Sequence, residues 1–156
     1  MTEDFPASEN IHASAVVVAE AGIVIRGRSG RGKSALALAL ISVASERGFF
    51  ARLVGDDRIT MRRRNDRVLI NGAPAVQGLV EHRGFGLMKI DFEPRAVARF
   101  VIDLLDEGEI VARMPEAREE SAALLGVRLP RLIFDDFSRP FERARAALSM
   151  LFAQRQ

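Results

Sequence analysis

The stretch IVIRGRSGRGKS, Ile23 to Ser34, reads as a short apolar strand running straight into a phosphate-binding loop. Gly27, Gly32, Lys33 and Ser34 satisfy every fixed position of G-x-x-x-x-G-K-[ST], and apolar, helix-forming residues follow from Ala35 to Val43. A loop that wraps a pyrophosphate turns back on itself and aims successive backbone N–H groups inward, which calls for glycines free to take positive φ. Gly27, Gly30 and Gly32 supply that freedom, and Arg28, Ser29 and Arg31 complete the cradle. The helix predicted over about Lys33 to Arg47 points its N-terminus at the phosphates, where orphan N–H groups and the macrodipole favour negative charge. In this motif Lys33 reaches the β and γ phosphates of a nucleotide such as ATP, and the Ser34 hydroxyl ligates Mg²⁺. A glycine-rich turn before an ordinary helix would lack this ordered context of strand, loop and helix.

Composition narrows the rest. At 156 residues the chain suits a single domain, 1–156, with 1–10 as a flexible arm. There is no cysteine, which excludes disulfides and thiolate metal sites. The N-terminal MTEDFPASENIH is acidic and polar rather than signal-like, and no apolar run approaches the roughly 20 residues needed to span a bilayer. The expectation is a cytoplasmic protein with no membrane partner. Net charge is +2, although 21 of the 23 basic residues are arginine. With no Trp or Tyr to stack on bases, and with Arg62, Arg63 and Arg64 beside an Asn65-Asp66 turn, nucleic acid is not an expected partner.

Along the chain, His12 to Ala19 reads as a strand, Glu20 to Gly22 as a turn and Ile23 to Arg26 as the strand feeding the loop. Gly48 stops the helix, and Phe49 to Val54 is a further strand ending at Gly55-Asp56-Asp57. Ligands of open α/β sheets bind outside the carboxyl ends of strands, so these two carboxylates are positioned for phosphate or metal chemistry. Ile59 to Arg64 and Val68 to Ile70 predict a hairpin, with a turn at Asn71-Gly72. From Leu79 to Met88 an apolar stretch is broken by Glu81, His82, Arg83 and two glycines, a poor strand unless a ligand needs those groups. Val97 to Leu105, Ile110 to Met114 and Leu129 to Phe134 complete the strands. Phe141, Ala144, Ala147, Leu148, Leu151 and Phe152 give Pro140 to Ala153 the spacing of an amphipathic helix.

The ordered set of the phosphate loop, Gly55-Asp56-Asp57, E-x-R-G-x-G (Glu81 to Gly86) and L-L-G-V-x-L-P (Leu124 to Pro130) resembles the catalytic domain of bacterial HPr kinase/phosphorylase, in a short form without the extra N-terminal domain. The resemblance runs from about Ile11 to Pro130. It implies a P-loop kinase core of the type shared with phosphoenolpyruvate carboxykinase, a mixed β-sheet with flanking helices in the α/β class. It further implies ATP- and Mg²⁺-dependent phosphorylation of a serine in an HPr-type phosphocarrier, phosphorolysis of the product, and a homo-oligomer, commonly a hexamer.

Carried over position by position, the resemblance implies active-site roles for His12, Lys33, Asp57 and Arg113. Asp57 matches the carboxylate that accepts the seryl proton, a role consistent with phosphoryl transfer needing little more than a positioned hydroxyl and relief of its proton. Ser34 and Glu81 match the Mg²⁺ ligands, the hard oxygen donors such a cation takes. Asp56 either binds metal or caps its turn, and His82 has no assigned role. The chain departs from the family pattern at Arg28 and Ala35, and Phe134 to Phe141 replaces the basic loop associated with dephosphorylation. A small-molecule P-loop kinase and a nucleotide-sensing regulatory module are the alternative readings.

Overall fold

The computed structural model describes residues 8–82, 84–105, 120–134 and 139–153. In chain order the strands and helices are β1 (Ser8–Ile11), β2 (Ala13–Val18), β3 (Ala21–Arg26), α1 (Lys33–Glu46), β4 (Ala51–Gly55), β5 (Ile59–Arg64), β6 (Arg67–Gly72), β7 (Leu79–His82), β8 (Gly86–Lys89), β9 (Arg95–Leu104), β10 (Ser121–Leu124), β11 (Val127–Phe134) and α2 (Pro140–Ala153). A 3-10 turn, Pro74–Val76, precedes β7.

Side chains alternate across a strand, and here both sets are apolar. Val16, Val18, Ile23, Ile25, Phe100 and Ile102 face one core, shared with Leu36 and Leu40 of α1 and Leu148 of α2. Ala15, Val17, Val24 and Val101 face the other, shared with Ile59 and Ile70 of the β5–β6 hairpin and Leu124 of β10. Central strands covered on both faces read as continuous apolar runs, which is why β2 and β3 look as they do in sequence.

The main sheet runs β1-β5-β6-β9-β3-β2-β4, with β10 and β11 completing its nine strands. The ten-residue β9 is its fork: Arg95 to Val97 pair antiparallel with β6, while Val101 to Leu104 pair in parallel with β11. On its other side β9 runs parallel to β3, so the carboxyl ends of β3, β9 and β11 meet where the phosphate loop begins. β4 lies at the far edge, where backbone bonds from Asp91 to Glu93 partly cover it.

Several expectations need correction. Residues 8–10, expected in a loose arm, pair with β5 as β1, and Thr60 Oγ1 donates to Asn10 Oδ1 at 2.7 Å. His12 does not begin a strand; it is an exposed residue in the bend between β1 and β2. Gly22 and Gly72 lie in strands rather than turns. A Cβ at Gly22 would sit 2.6 Å from the Val97 carbonyl oxygen, and one at Gly72 2.2 Å from that of Val54, so both glycines serve close backbone approach. Gly72→Ala is therefore expected to destabilise by about 2–3 kcal/mol, read as a lower urea midpoint at unchanged m-value. β10 was unforeseen; it turns into β11 through Leu125 and Gly126, both at positive φ as a two-residue type I′ hairpin requires. Ile110 to Met114 lies outside the described residues.

The two helices keep their expected extents to within a residue. At the end of α1, Gly48 N–H bonds the Ser45 carbonyl and Phe49 N–H that of Ala44, a Schellman closure. The buried face of α2 comprises Arg143, Ala144, Ala147, Leu148 and Leu151. Phe141, expected on that face, is exposed, whereas Phe152 stacks on Phe49 with centroids 4.4 Å apart.

Candidate active site

The loop between β3 and α1 closes on itself before any ligand is considered. Gly30 and Gly32 take φ of 85° and 96°, and Gly32 is the N-cap of α1. Lys33 is 5 % exposed; its ammonium donates to the Gly27 carbonyl at 2.8 Å and lies 3.4 Å from Asp57 Oδ1. The lysine thereby spans the loop mouth, with the acid of the β4 end on its far side. Around it Ser29, Gly30, Gly32, Ser34, Asp56, Asp57, Glu81 and His82 line a cleft of about 460 Å³.

Asp56 joins several elements around this cleft. Its Oδ1 accepts from the Ser34 hydroxyl at 2.6 Å and from the Ser14 hydroxyl at 2.8 Å, and its Oδ2 accepts from the Glu81 backbone N–H at 3.3 Å. Ser14 is fully buried on β2, and its oxygen in turn accepts from Asp57 N–H at 3.1 Å. One carboxylate thus ties β2, the start of α1, the end of β4 and β7 together. The next residue, Asp57, takes φ 59° and turns its own carboxylate toward Lys33. Ser14 escaped the sequence reading; its signal was a lone hydroxyl inside the apolar run ASAVVV.

The donor set fits Mg²⁺. Ser34, Asp56 and Glu81 are hard oxygen donors at one cleft, and among the described residues no three His, Cys, Asp or Glu side chains form a cage. Mg²⁺ characteristically takes one or two carboxylates together with substrate phosphates and water, so such a partial set suffices.

The other sequence candidates divide. Gly27 and Arg28 line a neighbouring recess of about 290 Å³ with Arg26, Asp103 and Arg131. There Arg26 donates to both Asp103 oxygens at 2.7 and 2.8 Å, and Arg131 Nε donates to Asp103 as well. That bidentate bond is the main reason the Arg26 guanidinium titrates above its ordinary value, against the opposing effect of burial. Arg31, on the loop, and His12, outside it, are not among the cleft-lining side chains. Arg113 lies outside the described residues.

A glycine-cornered loop on a helix N-terminus, with a serine–aspartate pair beside it, defines a P-loop protein built on a curled mixed sheet with flanking helices. Comparison with known proteins narrows the class. The model of the HPr serine kinase C-terminal domain matches residues 3–99. The HPr kinase/phosphorylase of Chloroherpeton thalassium is 34 % identical over 140 residues, covering 83 % of this chain and 39 % of that protein. That of Geobacillus thermodenitrificans is 34 % identical over 131 residues, covering 78 % and 40 %. The chain therefore spans well under half the length of these relatives. A solved structure, the Hpr(Ser) kinase/phosphatase from Coxiella burnetii, shares the fold with a TM-score of 0.77 at 21 % identity, covering 95 % of this chain and 99 % of that one. The chain belongs to the HPr serine kinase C-terminal domain family. Among the described residues no helix is long and apolar enough to cross a membrane.

Proposed function

We propose that this chain is an ATP- and Mg²⁺-dependent kinase that phosphorylates a serine of an HPr-type phosphocarrier. The observation that carries this reading is the split of adjacent acids across the lysine-closed loop: Asp56 holds the Ser34 hydroxyl, and Asp57 faces the Lys33 ammonium. Family membership supports the choice of a seryl acceptor.

In this mechanism the backbone N–H groups of residues 28–34 wrap the β-phosphate, and Lys33 moves its ammonium from the Gly27 carbonyl onto the β and γ phosphates. Ser34 and Glu81 would hold Mg²⁺, with Asp56 fixing the serine hydroxyl. When bound, the cation offsets phosphate charge. Asp57 accepts the proton of the incoming seryl hydroxyl as its oxygen forms a bond to the γ-phosphorus and the bond to the β-phosphate oxygen breaks, releasing ADP. In phosphorolysis, inorganic phosphate would take up the phosphoryl group to give pyrophosphate as the bond to the seryl oxygen breaks, and the carboxylic acid of Asp57 would give its proton to that departing oxygen. Arg113 is proposed to offset charge on the transferred group, and His12 to act from the edge of the site.

Incubation with γ-labelled ATP, Mg²⁺ and purified HPr tests the reading. The expected result is acid-stable phosphate on a serine of HPr, abolished by chelation of Mg²⁺. ATP turnover on a metabolite panel without label on HPr would overturn the protein substrate in favour of a small-molecule kinase. ATP binding without any turnover would overturn catalysis in favour of a sensing module.

A further inference from the structure

Asp103 lies on β9 between Ile102 and Leu104, in a stretch that otherwise supplies apolar side chains to the core, and is 8 % exposed. In register it stands beside Arg26 on β3 and Ile133 on β11, so its carboxylate lies within reach of both neighbouring strands. Arg26 grips both its oxygens, and Arg131 donates to one of them. One side chain therefore joins the carboxyl ends of three parallel strands. The next step along β3 is the phosphate loop itself. Gly27 follows Arg26 directly, and a Cβ placed on it would lie 3.1 Å from the Leu104 Cβ and 3.2 Å from the Leu104 carbonyl oxygen. The start of the loop is thus held to β9 twice, by the ionic fork before it and by close backbone approach at Leu104. The carbonyl of this same Gly27 accepts from the Lys33 ammonium at 2.8 Å. Ionic clusters withdrawn from water contribute little net stability and can often be exchanged for packed apolar side chains without loss, whereas a bidentate guanidinium–carboxylate pair fixes geometry.

We propose that Asp103 is a positioning residue for the nucleotide: by holding Arg26 it sets the Gly27 carbonyl, and with it the resting place of Lys33, so that the phosphate loop has its binding shape before a polyphosphate arrives. It acts through Arg26 and the loop backbone and touches no reacting atom. The assignment rests on the nucleotide reading above and goes beyond it, because the phosphate-loop motif begins at Gly27 and calls for nothing on β9 or β11.

Two substitutions separate positioning from charge. Asp103→Asn removes a negative charge close to the phosphate loop, which by charge alone would tighten MgATP binding. It is expected instead to weaken binding about tenfold, because a loop freed of its fork takes the binding-competent arrangement about a tenth as often. The ATP-induced rise in melting temperature is expected to shrink correspondingly. Arg26→Lys keeps the cation and loses the fork, and it too is expected to bind MgATP about tenfold more weakly. Calorimetric titration and thermal melts of the three full-length proteins decide the matter. Each titration is run well below that protein's own melting temperature, so that a plain loss of stability leaves the measured affinity untouched. Wild-type protein that takes up no MgATP overturns both the nucleotide reading and this one. Wild-type binding with both variants more than threefold weaker supports the assignment. Wild-type binding with either variant within threefold of it, or tighter, overturns the Asp103 assignment alone. Should Asp103→Asn fail to fold, Arg26→Lys decides by the same threshold.

Discussion

Asp57→Asn is expected to slow seryl phosphorylation by about 10²–10⁴-fold while leaving MgATP affinity within about threefold. The backbone makes this substitution unusually clean. Asp57 sits at φ 59°, a left-handed conformation that Asn tolerates as well as Asp but that most residues reach only with strain. Asparagine keeps the side-chain shape and the turn, and presents an oxygen to the Lys33 ammonium 3.4 Å away. What it removes is the ability to take a proton. Asp57→Ala would mix that loss with about 1 kcal/mol of backbone strain and so is the poorer test. A single-turnover measurement at saturating ATP gives the decisive number: transfer at more than a tenth of the wild-type rate would remove Asp57 from the role of base.

The second large effect belongs to Asp56. Asp56→Ala deprives the Ser14 and Ser34 hydroxyls and the Glu81 N–H of their common acceptor. Ser14 has no access to water, so its hydroxyl must be repaired locally, at a cost of about 1–3 kcal/mol. The melting temperature is expected to fall by about 5 °C. Because the same carboxylate orients the hydroxyl proposed to bind Mg²⁺, the Mg²⁺ concentration giving half-maximal activity is expected to rise about 10–100-fold. Ser34→Ala separates the two effects: it is expected to reproduce the altered Mg²⁺ requirement with little change in melting temperature, since Ser14 keeps its acceptor. If Asp56→Ala retains the wild-type Mg²⁺ response, Asp56 is a turn-stabilising residue only.

How far sequence alone reaches depends on what each residue is selected for. The phosphate loop was legible because gripping a phosphate with backbone requires glycine, lysine and serine at set intervals. The strands β2 and β3 and the helix α2 were legible because their burial is periodic or continuous. Gly22 and Gly72 misled because a glycine that admits a neighbouring backbone looks the same in sequence as one that makes a turn, and only the β3–β9 and β4–β6 approaches distinguish them. The short β10 was hidden by the turn residues Leu125 and Gly126, of which leucine gives no hint of positive φ. Within the site, Asp56 and Asp57 were visible as a pair but not as a division of labour, since that depends on a serine 42 positions earlier. Arg143 could not be told from the other arginines, because its burial is set by helix packing rather than by its neighbours in the chain.

The left-handed residue at the end of β4 leaves no slack between the two acids. Consecutive side chains depart in opposite senses, one clasping hydroxyls beneath the cleft and the other overlooking its mouth, with a single peptide unit as the spacer. Inserting even one residue there would exchange or misaim both, so the length of this connection is as strictly constrained as the identities of the residues it joins.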